Sequence, residues 1–526
     1  MAPPVRIAAI DAGSNAIRLV IAQASSASEL DILDSMRVPV RLGHGAFTKR
    51  RFSRVTLDRA VHAFRRFRSL LDRYGVHRCR AVATSAAREA RNRDVLLRRI
   101  RRASGIELEI IGSSEEARLV RSAILGALGE KLSPRLIVDL GGGSLEISLL
   151  RKSAPEKTLA LPLGSVRLIE TLGIYGAFTE DQCERVRHRV NSLLQSCWPN
   201  PPNLSGAIAF ASGGNAEALA RIAPGPKLDG MPSLNLRLLR ERLWDILSLN
   251  VEDRMEEFRL RRDRAEVIGV AAIVFAALSR WLRLRSLVVP GVGVKEGVLW
   301  DLAAAHFSEL SPSAYAARFQ PMLREARRVA SRFHCDTVHA EHVRKLAANL
   351  FEELAPLHKL PYELRLALEM AAILHEVGCA ISANSFHRHG DYILRHAHID
   401  GLSESDRAMI ACLVRYQGDS DPDSHHKLYS SLSPRRRKQI RALSALLRIA
   451  ISLDADRRAA VHSVRVFAKR KQIRLRLYAT GRASLPLAQF RRAAKLFEKE
   501  FGRRISFGRA RVLRESDKNS RSHRAA

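Results

Sequence analysis

LIVDLGGGSLEISLL, residues 136–150, decides the reading of this chain. An apolar run ends in Asp139, three glycines come next, and Ser144 and Glu146 open a second apolar run. Runs of this kind, broken by a Gly-rich turn, predict strand–turn–strand. IAAIDAGSNAIRLVIAQ, residues 7–23, repeats the shape, with Asp11 before the turn and Arg18 beyond it.

The elements downstream of each hairpin also repeat. After the first come a helix at 56–75, a strand at 80–85, a helical stretch AAREARNRDVLLRRIRR, a strand at 106–112 and a helix at 113–128. After the second come a helix near 180–197, a strand at 207–212, the turn GGN, helices at 235–250 and 263–284, a strand at 286–291 and a closing helix VKEGVLWDLAAA. Such duplication predicts two similar α/β domains with a cleft between them. From PMLREARRVASRF (321–333) to about 450 the chain reads as helical and rich in His. A hairpin at 464–480 and a helix come after it, and the polar tail beyond Gly508 reads as disordered.

Composition sets bounds. A chain of 526 residues, 46% hydrophobic and 27% charged, is globular and too long for one core. Six Cys without CxxC spacing argue for a reducing compartment and against a disulfide framework or a zinc ribbon. No signal-peptide layout opens the sequence, and the apolar run 267–278 is too short for a bilayer, so a cytoplasmic protein without a transmembrane segment is expected. Lys plus Arg exceed Asp plus Glu by 88 − 54 = 34. That field attracts polyanions, although arginine on solvated faces would give the same excess. Aromatics make up only 6% and do not interleave with the basic runs, so no specific nucleic-acid partner is expected.

The turns carry the chemistry. Glycines leave backbone N–H groups free to form a concavity that binds phosphate oxygens, and a strand-terminal Asp can hold a divalent cation bridging them. One such turn could be a plain hairpin; two in register can clamp a phosphate chain from both sides. ASGGN, 211–215, is a third turn, which by itself reads as an ordinary strand-to-helix connection.

These turns, on a duplicated α/β scaffold, resemble the actin-like ATPase superfamily. IDAGSNAIRLVI, ATSAAREARN, IIGSSEEARLV, LIVDLGGGSLEI, LPLGSVRL, ASGGN and VPGVGVKEGVL together resemble one branch, the exopolyphosphatase / guanosine pentaphosphate phosphatase family. The likeness extends into HCDTVHAEHVRKLA, AAILHEVG, FHRHGDYIL and LVRYQG, which resemble the helical third domain of long exopolyphosphatases.

The resemblance implies two actin-like (RNase H-like) domains with an interdomain cleft, then an all-α HD-like domain and a small C-terminal α+β domain. The expected boundaries are 1–128, 129–310 with a closing helix that can return to the first domain, 315–450 and 451–508, with 509–526 as tail. It implies Glu116 as the general base and Arg88 as the cleft arginine. The implied phosphate contacts are Gly13, Ser14, Asn15 and Arg18 on the first hairpin, Gly141, Gly142, Gly143 and Ser144 on the second, and Gly213 and Gly214 on the third turn. Asp139, Glu146 and Asp11 would hold Mg²⁺ or another divalent cation, directly or through water. The bare residues allow a plainer role for Glu116, since acids favour helix N-termini in any case.

The implied activity is Mg²⁺-dependent release of orthophosphate from the end of inorganic polyphosphate. Guanosine pentaphosphate is an alternative substrate that these motifs do not separate. An actin-like ATPase or kinase is a more distant alternative, because ASGGN lacks the further sequence expected of an adenosine pocket. A binding-only sensor would need a dead site, and Glu116, Asp139 and Glu146 are all present. A homodimer is expected from the resemblance.

In the helical region His375-Glu376, with His342 upstream and Asp454 downstream, is similar to the H…HD…D metal signature of HD phosphohydrolases. Glu is one methylene longer than Asp, so satisfied core histidines are the expectation. His387, His389, His396 and His398, beside Arg388 and Arg395, suit a basic channel for a polyanion. Gln417 in RYQG replaces the His usual in related enzymes.

Overall fold

A computed structural model describes residues 4–27, 29–128, 132–151, 154–308, 312–397, 399, 402–468, 472–479, 487–508 and 511–512. His398 and nearly all of the 509–526 tail lie outside the described residues. The chain forms two compact units, Met1–Leu310 and Ser311–Ala526.

The first unit contains two sheets. The strands of the first are β1 (Val5–Ala12), β2 (Ile17–Ser26), β3 (Glu29–Val38), β4 (Arg78–Ala83) and β5 (Leu108–Ile110), in the order β3-β2-β1-β4-β5. Those of the second are β6 (Leu136–Leu140), β7 (Leu145–Arg151), β8 (Ala154–Leu161), β9 (Ala209–Ser212), β10 (Pro224–Leu228), β11 (Met231–Asn235) and β12 (Ser286–Val288). Their order is β10-β11-β12-β9-β6-β7-β8. In both, an antiparallel three-strand meander continues into parallel strands: β1 pairs with β4 as β6 pairs with β9. The duplication read from the two hairpins is therefore a duplicated topology. The second copy differs by the added β10–β11 hairpin.

The central strands are apolar on both faces. All five residues of LIVDL are buried, as a strand covered by helices on each side requires. The outer meander strands β3 and β8 were not expected. ELDILDSMRV is charged and mostly unburied, so it carries no strand pattern of its own and is ordered by pairing with β2.

Helix boundaries differ from the expected ones for local reasons. The first helix is Arg54–Arg73, because Ser53 caps it and accepts from the Thr56 N–H at 3.1 Å. The stretch expected as one helix after β4 is two, Ser85–Glu89 and Arg93–Ser104. The break falls where Asn92 holds both the N–H (2.9 Å) and the C=O (3.0 Å) of Phe52. The 235–250 stretch is likewise split, into Leu236–Glu241 and Leu243–Ser248.

Helix Val294–Ser308 packs on helix Ser113–Leu128 and on β1 and β2. The approach is close: a Cβ on Gly297 would lie 2.1 Å from the Leu119 carbonyl oxygen. Around these helices one apolar cluster joins both sheets, through Val5, Ile7, Val20, Leu119, Ile124, Ile137, Phe210, Val288 and Val298.

The second unit begins with helix Pro312–Arg332, which runs through Pro321, the residue from which the helical composition is read in the sequence. Helices Thr337–Glu353, Leu364–Leu374, Phe386–His396, Glu404–Arg415 and Pro434–Ser452 form its core with a small sheet of β13 (Val461–Ala468), β14 (Gln472–Ala479), β15 (Arg504–Phe507) and β16 (Arg511–Val512). Helix Leu487–Phe501 covers that sheet.

Candidate active site

The two hairpin turns of the first unit meet each other. A Cβ on Gly142 would lie 2.9 Å from the Ser14 Cβ, and one on Gly143 would lie 2.1 Å from the Ser85 Oγ. Ser14 Oγ and Ser85 Oγ are hydrogen-bonded at 3.0 Å. Gly164, in LPLGSVRL, presses on the same point: its Cβ would sit 2.2 Å from the Gly143 carbonyl carbon. In this structure these glycines allow the loops to touch. The third turn uses glycine for its backbone, since Gly213 has φ +92°, and it lies against Asp139.

Four carboxylates face this junction. Asp139 and Glu146 are direct partners across the antiparallel β6–β7 ladder, so their side chains leave the same face of the sheet. Asp11 and Arg18 are the matching partners across β1–β2. Glu116 stands in the first turn of helix Ser113–Leu128. Asp11, Glu116, Asp139 and Glu146 are all buried, the most exposed at 7%.

Burial raises the pKa of every one, and repulsion from the other acids of the group adds to it at Glu116, Asp139 and Glu146. Burial, then Glu116 and Asp11, pushes Asp139 up to about 7. Burial, then Glu116 and Asp139, holds Glu146 well above the usual carboxylate range. Burial raises Asp11 despite Arg18 and Lys295. Burial likewise raises Glu116 despite Arg88, whose Nη1 donates to Glu116 Oε2 at 2.8 Å and to the Ile111 carbonyl at 2.8 Å.

This donor set fits a divalent cation. Both oxygens of Glu146 are buried without a hydrogen-bond partner among the described residues, and so is Ser144 Oγ. Glu116, Asp139 and Glu146 stay raised despite Arg88 and Arg18, so the nearby arginines do not balance the burial and repulsion of these acids, and a hard cation prefers oxygen ligands.

The neighbouring acid has another task. Glu115 is fully paired, with Arg80 at 3.1 Å and Arg118 at 2.7 and 2.9 Å, and both arginines also reach Asp301 on helix Val294–Ser308. It ties the closing helix to the first sheet.

Other expected residues are differently engaged. Asn15 donates to Asp263 Oδ2 at 3.0 Å, and Arg37 pairs with the same carboxylate. Arg18 lies 3.4 Å from Asp11. Gly214 backs onto Arg264, which bonds the Asn215 side chain. Ser85, Arg264, Asn215 and Lys295 were not singled out from the sequence. Ser85, Asn215 and Lys295 lie inside quoted motifs; Arg264 sits in a helix whose pattern reads only as core.

In the second unit the expected grouping shifts by three residues. His339, His375 and Glu376 bring ligand atoms within 4.8 Å of one another. Asp454 lies 2.7 Å from His339 Nδ1 and 4.0 Å from His342 Nε2. His342 is one helical turn further along and does not join the group. Gln417 is buried and donates to the His375 carbonyl at 2.5 Å.

Among the described residues no helix is long and apolar enough to cross a membrane. Comparison with known proteins matches residues 20–306 to the Ppx/GppA phosphatase family and residues 323–490 to Ppx/GppA phosphatase domain III. An exopolyphosphatase-like protein of known structure is 25% identical, with a TM-score of 0.51 over 57% of this chain and 98% of its own. An exopolyphosphatase from Cytophaga hutchinsonii is 23% identical, with a TM-score of 0.50 over 57% and 97%. The Aquifex aeolicus Ppx/GppA family member is 25% identical, with a TM-score of 0.49 over 58% and 99%. The first match covers more than half of the chain and includes Glu116, the whole second hairpin and most of the closing helix. This chain therefore belongs to the Ppx/GppA phosphatase family, hydrolases of phosphoanhydride bonds in polyphosphate or guanosine pentaphosphate.

Proposed function

We propose that the chain is a Mg²⁺-dependent exopolyphosphatase that removes orthophosphate from the end of polyphosphate. The observation that carries this reading is the buried acid group at the meeting of two Gly-rich turns, with Arg88 beside Glu116.

The position of each residue supports a part for it. Glu116 takes the proton from the attacking water, because a buried carboxylate with a raised pKa is a stronger base than a solvated one. Arg88 reaches Glu116 now and turns its fork of donors to the terminal phosphoryl group when substrate arrives. Phosphate oxygens are received by the loops at Gly13–Asn15, Gly141–Ser144 and Gly213–Gly214, with Arg18 alongside. Asp139 and Glu146, with Asp11 opposite, would hold the cation, which when bound would supply positive charge against the phosphate oxygens.

The excess of 34 positive charges favours a long polyanion over a nucleotide carrying a few phosphates. The family allows both substrates, so the test is competition. With Mg²⁺, long-chain polyphosphate should suppress pentaphosphate turnover at much lower phosphate concentration than the reverse. Preference for pentaphosphate would replace this reading with its alternative.

A further inference from the structure

We propose that the second unit carries a binding site for a divalent first-row transition-metal ion, formed by His339, His375 and Glu376. The three residues come from two separate segments of the fold. His339 lies in the first turn of helix Thr337–Glu353, fixed by Asp336, whose carboxylate accepts from the N–H groups of Val338 (3.1 Å) and His339 (3.0 Å). His375 and Glu376 come directly after helix Leu364–Leu374.

The two rings are set for ligation. Their centroids are 5.2 Å apart, and His339 and His375 are 4% and 2% exposed. His375 Nδ1 lies 2.7 Å from the Ala372 carbonyl, which can only accept. His375 therefore carries its proton on Nδ1 and its lone pair on Nε2. His339 Nδ1 lies 2.7 Å from the Asp454 carboxylate, which gives the same tautomer. Imidazoles that bind metals are held in this way, by an acceptor on the nitrogen that does not ligate.

The support behind the ligands is also built. Asp454 is 1% exposed, and its other oxygen accepts from the Ala459 N–H at 2.8 Å. Gln417 holds the His375 main chain by donating to its carbonyl. Arg457, half exposed, pairs with Glu376 through Oε1 from the outer side. His342, nine-tenths buried one helical turn further along, lies 4.0 Å from the same Asp454 and is not one of the ligands.

The donors define the ion. Two imidazole nitrogens and one carboxylate oxygen suit Zn²⁺, Co²⁺, Fe²⁺ or Mn²⁺ and leave open positions. Mg²⁺ prefers oxygen alone. The site differs in chemistry from the all-carboxylate group of the first unit, so the two can be told apart.

The experiment uses the full chain stripped with chelator and titrated with Co²⁺, then Zn²⁺, in millimolar Mg²⁺. We expect one equivalent of Co²⁺ with visible absorption bands, displaced by Zn²⁺. Binding should be lost in H375A and E376Q, weakened about 10- to 100-fold in D454N, and kept in D139N/E146Q. Circular dichroism confirms folding; should H375A not fold, E376Q, whose side chain is at the rim, decides. No stoichiometric Co²⁺ or Zn²⁺ in the wild type, or unchanged binding in E376Q, overturns the proposal.

Discussion

Arg88 Nη1 lies 2.8 Å from Glu116 Oε2, so the arginine and the acid assigned to the chemistry hold each other before substrate arrives. The pair has two consequences. It lowers the pKa of a carboxylate that burial raises, and it keeps both groups at the junction of the turns.

Replacing Arg88 should therefore change a pH profile as well as a rate. In R88A the lowering influence on Glu116 is gone, so the base stays protonated to higher pH. The acid limb of kcat/KM should move upward, with activity at its optimum falling about 10²–10³-fold. R88K should shift the limb less, because it keeps the charge and loses only the fork. An acid limb unmoved in R88A would separate the two residues.

Cation binding should be linked to pH with a defined sign. Asp139 titrates near 7 when folded, against a reference of 3.8, so between those values the folded state holds a proton that the unfolded state has released. Stability of the cation-free protein should fall as pH rises across this window and level off above it. Mg²⁺ supplies the missing charge, so the rise in Tm on adding it should grow from pH 5 to pH 8. An equal rise at both ends, or none, would place the cation elsewhere.

The contact between the turns can be broken by one methyl group. In G164A the new Cβ would overlap the Gly143 main chain, which has no side chain to swing away. A loss of about 1–3 kcal/mol in stability is expected, with a larger fractional loss of activity. Gly206, whose Cβ would meet nothing within 4 Å, is the control and should tolerate alanine. Denaturant unfolding of both variants reads this directly.

Much of this was legible in the sequence because it is local. Asp139 and Glu146, seven residues apart around a Gly-rich turn, could only be hairpin partners, and they are. Helix Ser113–Leu128 announced itself by the acids of its first turn, Glu115 and Glu116. Long-range pairing was not legible. Strand β3 exists because β2 offers it an edge, and Arg264 reaches the third turn from a helix that reads as buried core. The division of labour between Glu115 and Glu116 depends on Arg80 and Arg118, which are spread over the fold. In the second unit the spacing pointed to His342, and it is the packing that puts His339 instead beside Asp454, at 2.7 Å against 4.0 Å for His342.

The most direct measurement is phosphate release from long-chain polyphosphate with Mg²⁺, comparing the wild type with E116A at equal occupancy by substrate. The wild type should release orthophosphate steadily. In E116A kcat should fall about 10²–10⁴-fold, with binding of the chain retained. Full turnover in E116A, or a wild type that binds polyphosphate and releases no phosphate, would contradict it.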